Sequence, residues 1–141
     1  MIIFFIDKYR LWKYSTIYRE CIHLKTIFVV DDSDTNLATA EEALEDDFRV
    51  MTVPSAEKMF SLLEKINPDL ILLDIEMPGM NGFEALEKLK SGSLWSNIPV
   101  VFLTGTVNAV IEERSSKLGA AGIVTKPFSS SALLDCVKSH I

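Results

Sequence analysis

Five side chains capable of polar chemistry stand at the ends of apolar runs. Asp31 and Asp32 follow residues 26–30, Asp74 closes 69–74, Thr104 closes 98–104, and Lys126 follows 122–125. Taken singly, each has an ordinary use: carboxylates after strands cap helices, and a lone lysine is a solvated charge. Taken together they do not. If the runs are parallel strands, all five converge on one edge of a sheet, and three carboxylates against one ammonium leave a formal local charge of −2. Carboxylates crowded in this way need a cation to stay ionised. A donor set of oxygens without His or Cys selects a hard ion, and Mg²⁺ accepts few carboxylates while keeping several waters. The Lys126 ammonium is a point charge for phosphate or carboxylate oxygens. Thr104 adds a hydroxyl, and Gly105 leaves room beside it for a tetrahedral group. A carboxylate, a magnesium ion, an ammonium and a hydroxyl make a seat for a phosphoryl group, with the carboxylate as nucleophile.

The runs that must position these groups alternate with helical patterns. Residues 26–30, 69–74 and 98–104 are apolar without polar alternation, as in strands buried on both faces. Residues 48–53 are more mixed, as suits an edge strand, and 122–125 form the shortest run. Between them Leu37, Ala40 and Leu44 share a helical face after the capping candidates Ser33 and Asp34, and Met59, Leu62 and Ile66 share another after Ser55. Phe83, Leu86 and Leu89 form a third stripe, Val107, Ile111 and Leu118 a looser fourth, and Leu133, Val137 and Ile141 a fifth. Five strand–helix alternations predict an α/β fold, a doubly wound parallel sheet with helices on both faces, because parallel neighbours need helical crossovers. Ligands in such sheets bind beyond the carboxyl ends of the strands, where the strand order reverses.

At 141 residues the chain suits one domain with a single core, and 48% hydrophobic with 24% charged residues excludes disorder. The net charge of −6 is uneven: residues 1–25 carry +3 and the remainder −9. An acidic body is a poor binder of nucleic acid. Residues 1–24 lie outside the alternating pattern and read as an N-terminal extension, with 25–141 as the domain. Phe5, Tyr9 and Trp12 share a helical face there, which could make a basic amphipathic arm; an adventitious extension is the plainer reading. The apolar start, residues 1–6, has the wrong charge order for a signal peptide and is far short of the roughly 20 residues that span a bilayer. Cys21 and Cys136 form no ligand cluster and read as reduced spectators of a cytoplasmic protein.

Four segments, 28–33 (FVVDDS), 72–82 (LLDIEMPGMNG), 101–105 (VFLTG) and 119–128 (GAAGIVTKPF), resemble in order and interval the receiver domains of two-component response regulators, chemotaxis receivers among them. The resemblance covers nearly everything from Thr26 to Ile141. It implies a flavodoxin-like (βα)5 fold with strand order 2-1-3-4-5. It implies Asp74 as phosphoacceptor from a histidine kinase or histidine phosphotransfer protein, or from a small acyl phosphate. Asp32, Asp74 and the backbone carbonyl of Glu76 would bind Mg²⁺ directly, and Asp31 mainly through water. Thr104 and Lys126 would hold phosphoryl oxygens, with a cis peptide before Pro127. Glu76 and Thr106 sit where the family tunes phosphoryl lifetime. The surface of the fourth helix, fifth strand and fifth helix is the expected contact for a partner or for a second copy of the chain, which would make a homodimer.

One position departs from the family. Where many receivers carry an aromatic residue three before the lysine, this chain has Ile123, so signal coupling is expected through the loop after Thr104 and the segment 107–118. Two other classes share part of this pattern. A haloacid-dehalogenase-like phosphohydrolase shares the aspartate, threonine, lysine and magnesium, but wants a second Asp two residues after the nucleophile, where this chain has Glu76. A receiver-fold interaction module without phosphorylation would have no use for repelling carboxylates. The expectation is therefore a self-phosphorylating switch and no enzyme toward outside substrates. Charge repulsion further predicts that Asp31→Asn and Asp32→Asn both stabilise the metal-free protein.

Overall fold

A computed structural model describes residues 24–92 and 94–141. The suggested amphipathic arm with Phe5, Tyr9 and Trp12, and Cys21, lie outside the described residues.

Strands β1 (Thr26–Val30), β2 (Arg49–Val53), β3 (Leu70–Asp74), β4 (Val100–Thr104) and β5 (Gly122–Thr125) form one sheet in the order β2-β1-β3-β4-β5. Every pairing is parallel. Helices α1 (Asp34–Leu44), α2 (Ala56–Leu63), α3 (Gly82–Ser91), α4 (Ala109–Leu118) and α5 (Ser130–Ser139) make the crossovers. The doubly wound, flavodoxin-like receiver fold is as expected.

The continuous apolar runs serve two cores because successive strand residues point to opposite faces. Ile27, Val29, Leu70, Leu72, Val101 and Leu103 face α1 and α5, where Leu37, Ala40, Leu44, Leu133 and Val137 cover them. Phe28, Val30, Ile71, Leu73 and Phe102 face the layer of α2, α3 and α4. The mixed run at β2 is an edge strand, as expected, with only Val53 fully buried.

Helix starts follow local chemistry. Ser33, Ser55, Asn81, Asn108 and Ser129 each accept a hydrogen bond from a backbone N–H of the first turn, which satisfies a donor with no intrahelical partner. Asn81 and Glu84 complete a reciprocal capping box at α3.

The fourth stripe differs from expectation. Val107 precedes α4 and is exposed, Ile111 and Leu118 are only partly buried, and the single fully buried residue of α4 is Ser115. The reason is that α4 covers the end of the sheet, where β5 is short and half-exposed. A cation–π contact helps to hold it: Arg114 sits 4.1 Å from the ring centroid of Phe83, which meets Phe102 edge-on. Ile66 likewise falls beyond α2, where Ala56, Met59, Phe60 and Leu63 are the buried face. Trp95 packs on Phe60, with ring centroids 5.8 Å apart.

Gly82 matters most for the polar edge. Its N–H donates to the carbonyl of Ile75 at 2.9 Å, and a Cβ there would lie 2.7 Å from Ile75 Cα and collide with the carbonyl oxygen of Asp74. The start of α3 is thus seated on the backbone of the Asp74 turn. Gly82→Ala should cost about 1–3 kcal/mol, the scale of overpacking, and toward its upper end because the neighbours are backbone. Urea unfolding measures it; a loss under about 0.5 kcal/mol, ordinary for a surface site, would show that the helix can simply move away.

Candidate functional site

The sheet delivers the five side chains through its hydrogen-bond ladder. The Asp31 N–H continues the β1–β2 ladder by donating to the Val53 carbonyl, and the Lys126 N–H donates to the Thr104 carbonyl at 2.8 Å. Asp74 pairs in register with Leu103, and Thr104 with Thr125. Asp31 and Asp32 therefore leave the end of β1 beside Asp74 at the end of β3, where the chain order reverses across the sheet. This is the ligand crevice expected of the topology.

The convergence is close. Carboxylate oxygens of Asp31, Asp32 and Asp74 lie within 4.8 Å of one another. Asp31 and Asp74 are buried, whereas Asp32 is exposed. The Lys126 ammonium bridges the buried pair, 2.8 Å from Asp31 Oδ2 and 2.9 Å from Asp74 Oδ1. Asp31 Oδ1 also accepts from the Ser33 N–H at 2.9 Å, and its Oδ2 accepts from the Asn36 side-chain amide at 3.2 Å. Asp74 Oδ1 accepts from the Glu76 N–H at 3.1 Å, and the Glu76 side chain is exposed. The Lys126–Pro127 peptide is cis, as the resemblance implied.

Thr104 is buried at the same edge, but its hydroxyl is turned to its own loop. It donates to the Thr106 carbonyl at 3.0 Å and accepts from the Thr106 N–H at 3.1 Å. The threonine is in place, and its hydroxyl would have to exchange these partners to reach a group on Asp74. Ile123 packs half-buried against the α2–α4 side of the core.

Burial pushes the Asp74 carboxyl up from 3.8 to about 6; the Lys126 hydrogen bond opposes this and the neighbouring Asp31 charge adds to it. Burial alone would lower Lys126, yet its bonds to Asp31 and Asp74 outweigh that and hold the ammonium above its ordinary value. The site thus retains an ammonium and a surplus of carboxylate. Its oxygen-only ligands, close enough to share one ion, suit a hard divalent cation.

Sequence reasoning singled out the five edge residues and missed three that support them. Asn36 bonds Asp31 from the first turn of α1. Glu57 accepts from the Met80 N–H at 3.1 Å, pinning the loop after Asp74 to α2, and its carboxyl is lowered by its own backbone hydrogen bond and by that to Met80. Gly82 permits the close approach of α3. A polar residue in the first turn after an Asp-Asp pair is a signal for Asn36; Glu57, 17 positions before Asp74 in the chain, offers none.

Residues 27–138 match the response regulator receiver domain family. The chain belongs to that family. Among curated relatives, a Vibrio cholerae protein named a probable cyclic di-GMP phosphodiesterase is 37% identical over 116 residues, covering 82% of this chain and 26% of that protein. The response regulator protein GraR of Staphylococcus aureus is 30% identical, covering 77% of this chain and 47% of its own length. This receiver domain therefore spans half or less of those two relatives. The solved chemotaxis protein CheY4 of Vibrio cholerae superposes with a TM-score of 0.81 at 25% identity, over 84% of this chain and 100% of that one. The receiver domain of a signal transduction histidine kinase from Syntrophus aciditrophicus gives 0.74 at 30% identity, over 82% and 88%. Among the described residues no helix is long and apolar enough to cross a membrane.

The geometry separates Asp31 from Asp32. Asp31 is buried with three donors on its carboxylate, so Asp31→Asn turns an amide toward Lys126 and Asn36 and should lower the metal-free melting temperature. Asp32 is exposed and has no ion-pair partner among the described residues, so Asp32→Asn should raise it slightly by relieving repulsion. This revises the expectation that both substitutions stabilise. Thermal melts in chelator decide it, and a rise for Asp31→Asn would mean that repulsion outweighs its bonds.

Because folding raises the Asp74 pKa, the ionised side chain costs stability. The penalty is absent below about pH 4, grows as pH rises, and is complete above about pH 6. Asp74→Asn should therefore stabilise the metal-free receiver at pH 7.5, by less than the roughly 3 kcal/mol that a rise from 3.8 to about 6 would carry because the rim is open to screening solvent, and hardly at all at pH 4. Urea unfolding at the two pH values tests the sign, and equal effects would contradict it.

Proposed function

We propose that this receiver domain is a phosphorylation-dependent switch of a cytoplasmic two-component phosphorelay, taking a phosphoryl group onto Asp74 with Mg²⁺. The observation that carries the reading is Lys126 bridging Asp31 and Asp74 in a cluster of three carboxylates. An arrangement serving stability alone would not gather a third carboxylate beside a buried pair already short of positive charge.

The cluster fits a magnesium ion by its all-oxygen ligands, mutual proximity and formal surplus of negative charge. Asp32, Asp74 and the Glu76 carbonyl would hold the metal, with Asp31 acting mainly through water. When bound, Mg²⁺ balances the surplus charge and polarises phosphoryl oxygens. The chain's own groups do the rest. One Asp74 carboxylate oxygen attacks phosphorus in a phosphohistidine of a histidine kinase or histidine phosphotransfer protein, or in a small acyl phosphate. The new O–P bond forms as the bond to imidazole nitrogen or acyl oxygen breaks; the imidazole leaves neutral or takes a proton, and the acid leaves as carboxylate. Lys126 moves from the carboxylates to a phosphoryl oxygen, and the Thr104 hydroxyl exchanges Thr106 for another. Water reverses the modification by attacking the phosphorus, which is the only turnover in this reading.

The receiver comprises residues 25–141, and 1–24 are an extension outside it, adventitious on the plainer reading. Output is carried by the Thr104–Thr106 loop and α4, since Ile123 has no polar-tipped ring to swing between core and surface. The α4, β5 and α5 surface is the proposed contact for a partner or a second copy, and the acidic domain is not a nucleic-acid binder.

Intact-mass measurement with Mg²⁺ and acetyl phosphate should show one added phosphoryl group, absent with chelator and absent in Asp74→Asn. Continued labelling of Asp74→Asn at the parent rate would reject Asp74, and steady release of phosphate from small phosphomonoesters would favour a hydrolase.

A further inference from the structure

We propose that Asn36 is a positioning residue of the metal site: its amide holds Asp31 Oδ2 so that Asp31 faces the cation through water and Lys126 is free to leave it. The inference rests on the magnesium and Asp74 reading above and deepens it.

Asp31 has no surface open to bulk solvent, so each donor on its carboxylate counts. Its carboxylate offers about four acceptor sites, and three are taken in fixed directions. Ser33 N–H occupies Oδ1, while Lys126 and Asn36 share Oδ2. Two of these donors belong to the α1 start. Ser33 is its N-cap, and the Asn36 N–H donates to the Ser33 hydroxyl, which anchors the residue whose side chain reaches back to Asp31. Lys126 is the donor that must move, because the same ammonium also serves Asp74. Once it turns to a phosphoryl oxygen, Asn36 is the side-chain donor left on Asp31 Oδ2. Without Asn36 a buried carboxylate oxygen would be stripped at that step, so Asp31 would retain Lys126 or rotate its freed oxygen onto the metal.

Both consequences are specific. Retaining Lys126 slows phosphotransfer. Rotation adds a protein oxygen to the ligand set, which suits Ca²⁺ with its 6–8 flexible ligands better than Mg²⁺, which keeps an octahedral, water-rich shell. Asn36 is thereby a determinant of Mg²⁺ over Ca²⁺.

The test compares the full chain with Asn36→Leu and with Asn36→Ser, whose shorter side chain preserves a polar first turn but cannot span to Asp31. Calorimetric titration with Mg²⁺ and with Ca²⁺ gives the ratio of the two affinities, and acetyl phosphate at saturating Mg²⁺ gives the maximal phosphorylation rate. Both variants should shift the ratio toward Ca²⁺ and slow phosphorylation by about tenfold, the scale on which groups supporting a metal ligand act. Asn36→Ser keeps the measurement available if the leucine variant does not fold. A purely structural contact would lower the melting temperature and leave the ratio and rate at parental values, which would overturn the inference. If the parent itself neither binds Mg²⁺ nor labels on Asp74, the proposed function fails, a result distinct from a parent that labels and variants that match it.

Discussion

The Lys126 ammonium, held between two buried carboxylates, is the contact on which the polar edge depends. Asp31 and Asp74 would repel each other at short range in a region from which water is largely excluded, and Lys126 offsets one of the two charges at 2.8 and 2.9 Å. The compensation is incomplete. Asp32 adds a third charge at the exposed rim, and the Asp74 carboxyl is raised chiefly by its burial and further by the Asp31 charge. A buried pair satisfied by one lysine would be a structural salt bridge; the surplus of carboxylate beside it is a charge that a cation can balance.

Holding these groups together demands rigidity from the backbone beneath them. Asp31, Asp74 and Lys126 come from three strands, and each is fixed by a ladder bond or register pairing at the strand end. The loop after Asp74 is fastened twice more. Gly82 lets α3 sit directly on the Asp74 turn, and Glu57 reaches from α2 to the Met80 N–H. The capping box at Asn81 then sets the direction in which α3 departs. Two apolar layers on the faces of the sheet support the polar rim.

Helix α4 is held less firmly. Helix α4 buries one residue fully, Ser115, and its hydroxyl has no partner among the described residues. Val107 and Val110 are exposed before and within it, and the Arg114–Phe83 contact is among its few specific ties. Few buried apolar contacts mean low local stability, the property that lets an element change position without unfolding the whole. The Thr104 hydroxyl, bonded to Thr106 two residues before the α4 cap at Asn108, lies between the rim and this helix.

The sequence by itself determined the class of fold and the edge residues. Short continuous apolar runs rich in β-branched residues read as strands buried on both faces, the helical stripes between them call for parallel crossovers, and a parallel sheet brings Asp31, Asp32, Asp74, Thr104 and Lys126 to one side. Periodicity failed where burial was slight: Val107 fits the α4 stripe in spacing but lies outside the helix, because a short, half-exposed β5 gives that stripe little to cover. Tertiary structure alone decided what each polar atom touches. That Asp31 is buried with three donors while Asp32 beside it is exposed, that Thr104 is turned to its own loop, and that Asn36 and Glu57 support the site all depend on side-chain direction and on the approach of distant segments. Neighbouring positions in a chain share spacing but not surroundings, and the surroundings set the charge, the bonds and the chemistry.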